Sequence, residues 1–480
     1  MTNSEYVLSK EEISGLDRRT IESGIPSRTL MRNAAYAVYR RILALGADMS
    51  RTVIVCGGGN NGGDGYALAL LMEKSGIPVS VLESSAPKSD DCVYYSSLLR
   101  AARADISALA SATLIVDAMY GFSFRGSLLG RDAEIAAAVN SSEAFVLAVD
   151  LPSGVSADGD FCEGCVCADA TCTFTAEKYA TASYPSKAKC GRVFVEDIGV
   201  PSSMLEKLSP GALLVRSADG MIKPRSDTGH KGSFGTLAVL AGCADMPGAA
   251  ALCAAGALCS GVGLVKIASE EKVLDILKIK LDEPVYLRAS VDAITESGAS
   301  ALLVGCGIGR GYDGMLADLL TASEVPAVID ADGINFLAAH INVLKEMRCP
   351  AALTPHPGEM ARLTGTDVRE VERNRIRTAG DFAQKYGCYL LLKGSRTVIA
   401  APDGRIRINT TGNSALSKGG SGDVLAGVAA SLAAQGYDLF DALTVAAYVH
   451  GKAGERLSAL YGAHGARASR LPEEIGRLLG

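Results

Sequence analysis

The strongest constraint on the fold of this 480-residue chain is its alternation of short apolar runs with longer amphipathic or alanine-rich segments. The short runs have the length of buried strands, and the segments between them have the length of helices. This alternation predicts an α/β fold of mainly parallel sheets with helices on their faces. The predicted strands are 52–56, 79–82, 114–116, 145–149, 171–175, 236–240, 264–267, 301–304, 327–329, 351–354, 389–392 and 397–400, with helices at 64–75, 133–139 and across much of 423–479.

The length of the chain indicates more than one domain. Its content of 48% hydrophobic and 21% charged residues is that of a globular protein with sizeable cores. Proline and glycine punctuate residues 200–228, and no sustained periodicity runs through that segment. We therefore predict one domain over about 1–212 and a second over about 222–480.

Charge and hydropathy restrict the classes of partner that the chain is expected to bind. The net charge is −6 and no basic block occurs, so we expect neither nucleic acid nor an anionic membrane as a partner. Between Asp245 and Lys266 lie 20 uncharged residues, but alanine, glycine and cysteine dominate them. We predict a buried helix and the start of a strand there, not a membrane span. We also expect a homo-oligomer, although the sequence does not set the number of subunits.

Cysteine usage bears on location and on metals. The first 12 residues are polar, without the apolar core of a secretion signal, and the 13 cysteines are mostly scattered singly. This pattern predicts a cytoplasmic protein without a disulfide framework. The one cluster is Cys162, Cys165, Cys167 and Cys172, and it lacks a second Cys-x-x-Cys. A turn followed by a partly buried strand, with Cys167 and Cys172 in the strand, is favoured there over a metal site.

Glycine-rich turns and acids follow the strands of the first half. The run 57–65 reads Gly-Gly-Gly-Asn-Asn-Gly-Gly-Asp-Gly and precedes a helix, so its N–H groups suit a phosphate and its asparagine oxygens suit a hard cation. Asp64 also fits a simple helix cap. Asp117 and Asp150 each end a strand beside a glycine loop, which is where ligands bind in parallel sheets. Lys178 is a candidate cation for the same cleft.

These segments, with Asp150-Leu151-Pro152-Ser153-Gly154 and Thr173-Phe174-Thr175-Ala176-Glu177-Lys178, resemble the NAD(P)H-hydrate epimerases. That family has a Rossmann-like fold and interconverts the R and S forms of hydrated NADH and NADPH. The resemblance implies K⁺ bound by Asn61, Asp117 and Ser153. For the acid or base of the reaction we prefer Asp150, with Lys178 second. The residues that it implies for the hydrated dinucleotide are Asn60, Asn61, Gly62, Gly63, Asp64, Gly121, Phe122, Ser123, Phe124, Arg125, Gly126, Ser127 and Asp150.

The second half carries a run of small residues, 419–422, that ends in Asp423 and precedes an apolar helix. Helix N–H groups in such a run bind anions, and the acid suits proton transfer beside the group that is transferred. Lys393 follows the apolar strand 389–392, where its ammonium suits phosphate. His356 lies between two prolines in a stiff turn and is a candidate donor to a substrate.

This half resembles, across about 222–480, the ADP- or ATP-dependent NAD(P)H-hydrate dehydratases, which have a ribokinase-like fold. The two halves together resemble a bifunctional enzyme that repairs hydrated NAD(P)H, with ADP as the expected co-substrate and Mg²⁺ and K⁺ as cofactors. For the dinucleotide the resemblance implies Ala249, Gly307 or Gly309, His356 and Asp423. For the adenine nucleotide it implies Lys393, Gly394, Ser395, Arg396, Thr397 and Gly422.

The residues suggest a mechanism in which Asp423 takes the proton of the ring hydroxyl while its oxygen attacks the terminal phosphate of ADP. Two alternatives stay open. One is a ribokinase-like small-molecule kinase that releases a stable phosphorylated product, and the other is a first domain that binds nucleotide without catalysis. The sequence does not separate ADP from ATP as donor.

Overall fold

The structure is a computed structural model that describes residues 5–159, 163–208 and 211–480. It divides into two compact units, Met1–Leu214 and Val215–Gly480. The division falls inside the segment 200–228 in which the sequence places the boundary.

The first unit alternates strands and helices as expected, with additional short strands. Its strands are β1 (Tyr6–Leu8), β2 (Thr52–Cys56), β3 (Val79–Glu83), β4 (Ala102–Arg103), β5 (Leu114–Ala118), β6 (Phe145–Val149), β7 (Ala170–Phe174), β8 (Glu177–Lys178), β9 (Arg192–Glu196) and β10 (Ala212–Val215). Its helices are α1 (Lys10–Glu22), α2 (Ser27–Leu45), α3 (Asn60–Lys74), α4 (Asp90–Leu98), α5 (Arg131–Asn140), α6 (Tyr179–Ala182) and α7 (Ser202–Glu206).

The main sheet of this unit is parallel, with strand order β4-β3-β2-β5-β6-β7-β9. Alternate residues of β2 enter different cores: Ile54 and Cys56 pack in one apolar cluster, and Val53 and Val55 pack in another. Burial on both faces explains why these strands are continuous apolar runs. The chain reverses its winding between β2 and β5, and such a switch point opens a crevice at the carboxyl ends of the strands.

The second unit repeats this style. Its strands are β11 (Thr236–Leu240), β12 (Leu264–Ser269), β13 (Val285–Arg288), β14 (Ala301–Val304), β15 (Ala327–Ile329), β16 (Ala351–Leu353), β17 (Tyr389–Leu392), β18 (Val398–Ala400) and β19 (Ile406–Asn409). Its helices are α8 (Pro247–Cys259), α9 (Glu271–Lys280), α10 (Val291–Thr295), α11 (Asp313–Ala322), α12 (Asp332–Ala339), α13 (Val343–Glu346), α14 (Pro357–Thr364), α15 (Val368–Arg373), α16 (Arg375–Tyr386), α17 (Ser421–Ala434), α18 (Leu439–Gly465) and α19 (Leu471–Leu479).

The strands of the second unit follow the order β13-β12-β11-β14-β15-β16-β17-β18-β19. They are parallel as far as β17, and β18 and β19 are antiparallel. A switch point therefore lies between β11 and β14. The prediction of two parallel-sheet α/β domains is confirmed.

Three local predictions need correction. Helix α3 begins at Asn60, not at Asp64, and its N-cap is Gly59, so Asp64 is not the cap. Glycine permits this early start, because a Cβ at Gly62 would lie only 1.8 Å from the Gly57 carbonyl oxygen. Cys167 is exposed and outside the strands, whereas Cys172 lies in β7.

Cys162 lies outside the described residues. The uncharged segment 246–265 forms α8 and the start of β12. Over the residues that the structure describes, every helix is too short or too polar to cross a membrane.

Helix α17 packs against α8 through glycine. A Cβ at Gly427 would lie 2.0 Å from the Cys253 carbonyl oxygen, and one at Gly256 would lie 2.6 Å from the Val424 carbonyl oxygen. The two backbones are therefore closer than side chains would allow. This contact sets the position of the first turn of α17, which carries Asp423.

We expect Gly427→Ala to lower the free energy of unfolding of the second unit by about 1–3 kcal/mol or more, because the new methyl group forces the helices apart. Urea denaturation measures the change. Gly314→Ala in α11 is the matched control, since a Cβ there meets nothing within 4 Å. Equal midpoints for Gly427→Ala and the wild type would contradict this account of the packing.

Candidate active sites

A cavity of about 590 Å³ opens in the first unit, beside the switch point between β2 and β5. Its walls contain eight of the predicted site residues: Asn60, Asn61, Asp64, Gly121, Phe122, Ser123, Asp150 and Lys178. The other predicted residues of this unit do not line it. Phe124, for example, is buried against Tyr120, with ring centroids 5.0 Å apart. The structure thus brings the two predicted catalytic residues to the turn after β2.

Asp150 and Lys178 form a buried ion pair, with Lys178 Nζ 2.7 Å from Asp150 Oδ1. The ammonium also donates to Thr173 Oγ1 at 2.7 Å and to the Phe174 carbonyl at 2.9 Å. The other carboxylate oxygen of Asp150 accepts from the Phe122 N–H at 2.8 Å. These contacts give both oxygens of the buried carboxylate a partner. Asp150 has φ +66°, a left-handed conformation that costs a non-glycine residue free energy and is concentrated at functional sites.

Asp117 and Ser153 lie together at the ends of β5 and β6. Ser153 Oγ donates to Asp117 Oδ1 at 2.5 Å, and the Ser153 N–H donates to Oδ2 at 2.7 Å. Asp117 is fully buried, and this burial raises its pKa to about 6 against the effect of the Ser153 hydrogen bonds. Among the described residues no ammonium or guanidinium group pairs with this carboxylate.

Asn61 carries an unmet hydrogen-bonding capacity. Its side-chain oxygen and nitrogen are both buried, and neither has a hydrogen-bond partner within residues 5–159, 163–208 and 211–480. The oxygen is close to Gly121, where an added Cβ would lie 3.0 Å from it and 2.9 Å from Asp150 Oδ2. Asn61 follows β2, and Asp117 lies at the end of the neighbouring strand β5. A buried amide oxygen and a buried unpaired carboxylate are ligands of the kind that a hard cation takes.

Several cavity residues were not predicted from the sequence, and among them is the acid Asp17. Asp17 lies on α1, whose buried residues include Ile13, Leu16 and Thr20. At this helical spacing Asp17 falls on the apolar face of α1. A charged residue on an apolar face is unusual, and this feature of the sequence could have identified Asp17.

The second unit has a cavity of about 390 Å³ beside the first turn of α17. Predicted nucleotide residues Lys393, Gly394, Ser395, Thr397 and Gly422 line it, and Arg396 does not. Polar side chains that were not predicted as site residues also line it, among them Asn409, Thr411, Asn413, Ser414 and His450. His450 is buried on α18, and its Nε2 lies 2.9 Å from the Ser421 carbonyl oxygen. Burial lowers the pKa of His450 to about 4, so the ring is neutral.

Lys393 is held by carboxylates. Its Nζ lies 2.7 Å from Asp330 Oδ1 and 3.8 Å from Glu359 Oε2. Burial lowers its pKa, but the two carboxylates outweigh that effect and raise it above the usual value. The ammonium is close to the start of α17, since a Cβ at Gly422 would lie 3.5 Å from Nζ. A lysine charge and helix N–H groups therefore face the same space, which suits phosphate.

The loop that carries Lys393 is fixed by a buried arginine. Arg375 Nη2 donates to the Leu392 carbonyl at 3.1 Å and to the Lys393 carbonyl at 3.0 Å. Gly394 has φ +145°, and a Cβ there would lie 2.7 Å from the Arg375 guanidinium. Only glycine fits this position, which explains the Lys-Gly pair at the end of β17.

Asp423 lies in the first turn of α17. Its carboxylate, that of Asp330 and the Cys306 thiol lie within 4.8 Å of one another. Burial raises the pKa of Asp423 to about 6, with a further increase from Asp330 and an opposing effect of Lys393. A carboxyl group of this kind accepts a proton near neutral pH more effectively than an ordinary aspartate.

The predicted dinucleotide residues of this unit do not line the 390 Å³ cavity. Ala249 and Gly307 meet at the β11–β14 switch point, where a Cβ on Gly307 would lie 2.7 Å from that of Ala249. The Gly309 N–H donates to Asp332 Oδ2 at 2.9 Å. His356 caps α14, and its Nδ1 accepts from the Gly358 and Glu359 N–H groups at 3.0 and 3.3 Å. One ring nitrogen of His356 is thus already used within the fold.

Comparison with known proteins covers both units. The family model described as NAD(P)H-hydrate dehydratase matches residues 237–477, and the one described as YjeF-related protein N-terminus matches residues 27–180. A ribokinase-like superfamily protein from Enterococcus faecalis has a TM-score of 0.51 and 22% identity, and covers 56% of this chain and 95% of its own. This likeness confirms the ribokinase-like fold of the second unit.

Relatives match almost the whole chain. A bifunctional NAD(P)H-hydrate repair enzyme from Moorella thermoacetica is 36% identical over 94% of this chain and 92% of its own length. The enzyme of that name from Escherichia coli is 31% identical over 95% of this chain and 90% of its own length. The predicted enzyme class, an isomerase joined to a lyase, agrees with these matches. The chain therefore belongs to the family of bifunctional NAD(P)H-hydrate repair enzymes.

Proposed function

We propose that the first unit interconverts the R and S forms of hydrated NADH and NADPH, and that the second dehydrates the S form at the expense of ADP. The observation that carries the proposal is the meeting of three groups in the second unit. Lys393 and the start of α17 line one cavity, and the half-buried Asp423 carboxylate lies within 4.8 Å of that of Asp330, which pairs with the Lys393 ammonium. Phosphoryl transfer to a hydroxyl needs a charge clamp and a base of this kind.

The mechanism begins with the ring hydroxyl, a poor leaving group. Asp423 takes its proton, and the oxygen attacks the terminal phosphorus of ADP, so that a new P–O bond forms as the bond to AMP breaks. Lys393 and the N–H groups of Gly420–Gly422 stabilise the charge of the transferring group. Elimination then expels phosphate with the C–O bond pair, the neighbouring ring carbon loses a proton to solvent, and the ring double bond is restored. The products are reduced cofactor, AMP, inorganic phosphate and a proton.

Mg²⁺ fits this site as a partner of the nucleotide. The only clustered ligands among the described residues are Cys306, Asp330 and Asp423. A thiol is a poor ligand for Mg²⁺, and Asp330 already pairs with Lys393 at 2.7 Å. Mg²⁺ commonly binds through substrate phosphates and waters with few protein ligands. We therefore assign it to the phosphates, where it would neutralise their charge.

K⁺ fits the first unit. Asn61 offers an unpartnered buried oxygen, and Asp117, held by Ser153, offers a buried carboxylate that lacks a cationic partner among the described residues. A cation here would stabilise the ionised Asp117 and order the turn after β2. The homo-oligomer and the cytoplasmic location stay predictions.

A kinase is the alternative for the second unit. Its site geometry serves equally for a stable phosphorylated product, so the product separates the two functions. The first unit, by contrast, is favoured as an enzyme by the strained, ion-paired Asp150 in its cavity.

The decisive assay mixes both epimers of hydrated NADH with the full chain, Mg²⁺, K⁺ and ADP or ATP, and follows dihydronicotinamide absorbance. The wild type should restore all of it and release inorganic phosphate. Asp423→Asn should lose at least about 100-fold in rate with nucleotide binding kept, because only the base is removed. With Asp150→Ala the absorbance should recover only in proportion to the S epimer present at the start, because the R epimer is no longer converted. The two variants thus serve as controls for each other.

The pH dependence follows from Asp423. The base works only when ionised, so dehydration of the S epimer should speed up as pH rises through about 6 and then level off. A flat profile across this range, near-normal turnover by Asp423→Asn, or accumulation of a phosphorylated metabolite would contradict the proposal.

For K⁺, we expect potassium chloride to raise the unfolding midpoint of the first unit relative to tetramethylammonium chloride at equal ionic strength. A K⁺ concentration of about 100 times its Kd would raise the free energy of unfolding by about 2.7 kcal/mol. Hydrogen exchange of the segment 57–72 reports this unit within the full chain. Asp117→Asn should remove the difference in protection between the two salts. Asp132→Asn is the control and should keep it; in the wild type the Asp132 carboxylate accepts from the Tyr120 hydroxyl. Equal protection in both salts would contradict K⁺ binding.

A further inference from the structure

Helix α1 forms one wall of the first unit's cavity, and the catalytic roles proposed above include no residue of this helix. Its amphipathic face buries Ile13 and Leu16, and Asp17 follows on the same face. Asp17 lines the 590 Å³ cavity with Asp150 and Lys178. An acid from the N-terminal helix and the Asp150–Lys178 pair from distant strands thus face one space.

The Asp17 carboxylate has no structural task within the fold. It takes part in no hydrogen bond or ion pair with the residues that the structure describes. Its pKa is nevertheless raised to about 6 by burial, while Lys178 lowers it and Asp150 raises it. A desolvated acid without a partner weakens the fold, so its place in a cavity points to a ligand.

Asp150 has the opposite environment. An ammonium at 2.7 Å and the Phe122 N–H at 2.8 Å contact its two carboxylate oxygens. Two carboxyl groups in one cavity, one paired with an ammonium and the other without a partner among the described residues, can serve as an acid–base pair.

Epimerisation of this substrate needs both a general acid and a general base. The hydrated double bond belonged to an enamine, so the hydroxyl sits on the carbon beside the ring nitrogen. Inversion at that carbon requires its C–O bond to break and to form again on the other face. The departing oxygen needs a proton, and the returning water must lose one.

We propose, resting on the epimerase function proposed above, that Asp17 is the general acid of epimerisation and Asp150 the general base. Asp17 gives its proton to the hydroxyl, which leaves as water with the C–O bond pair, and the nitrogen lone pair forms a C=N bond. Water adds to the opposite face, the C=N pair returns to nitrogen, and Asp150 takes the proton. The reverse reaction exchanges the two roles, and solvent restores the starting protonation. No oxidant or co-substrate is consumed.

Other charged groups line the same cavity as Asp17 and bear on its proton equilibrium. They are Arg18 and Glu22 on α1, Asp64 on α3, Asp91 on α4, and the Asp150–Lys178 pair. Because Asp17 loses its proton as pH rises through about 6, the rate of epimerisation should fall above that value.

The test uses the full chain without nucleotide, so that only the first unit turns over. Pure S-hydrated NADH in ¹⁸O-water is followed for R epimer and for ¹⁸O in the ring hydroxyl. Asp17→Asn should slow both by at least about 100-fold, with KM changed less than about threefold. Glu11→Gln, an exposed carboxylate on the first turn of α1, is the matched control and should keep the wild-type rate.

Asp17→Glu keeps an acid at this position, so the descending limb of its pH profile should move from that of the wild type. Hydrogen exchange of segment 57–72 shows whether Asp17→Asn folds. If it does not, the pH profile of Asp17→Glu tests the role of Asp17 instead. An unmoved limb, Asp17→Asn within a few-fold of the wild type, or a full loss in Asp64→Asn with Asp17→Asn active would overturn the assignment. If the wild type itself forms neither R epimer nor ¹⁸O product, the proposed epimerase function fails instead.

Discussion

A buried pair of lysine and aspartate lies at the centre of each site. Lys178 and Asp150 meet at 2.7 Å in the first unit, and Lys393 and Asp330 meet at 2.7 Å in the second. Removing one partner of such a pair typically costs about 3–5 kcal/mol, because the other charge stays buried. Each pair is therefore a strong local constraint. In the first unit it orients the base that we propose, and in the second it directs an ammonium toward the start of α17.

The sheets explain why these pairs form where they do. In both units the strand order reverses once, between β2 and β5 and between β11 and β14. Parallel strands end at one edge, and the reversal leaves room there for glycine turns that admit a ligand. Gly62 beside Gly57 in one unit, and Gly307 beside Ala249 in the other, have no space for larger side chains. The backbone geometry at each switch point thus requires the small residues found there.

Desolvation gives the acids of the two sites their chemical character. Asp17, Asp117 and Asp423 all have pKa values raised to about 6, and burial is the largest cause in each. Their surroundings differ, and so do the proposed tasks. Asp117 is tied to Ser153 and suits a cation, Asp423 lies beside an ammonium at a helix start, and Asp17 faces an open cavity. One physical effect thus supports three functions because the neighbours differ.

The sequence by itself determined the parallel-sheet class and most strand positions, since apolar runs and helical spacing are local patterns. It also indicated the turn after β2, Asp150, Lys393 and Asp423 as candidate site residues, because glycine turns and acids at strand ends are visible in the local sequence. The dinucleotide and K⁺ assignments came from the family resemblance and stay predictions. Only the tertiary structure decided that α3 starts at Asn60, because the packing of Gly62 on Gly57 permits the early start.

Tertiary contacts also place Asp17 and His450 on the walls of the two cavities and Arg375 against the Lys393 carbonyl, and they leave the amide of Asn61 without a partner in the described part of the chain. These residues are far in sequence from the groups that they face. Their burial and pKa values depend on neighbours that only folding brings together, and periodicity within one segment carries no record of such neighbours.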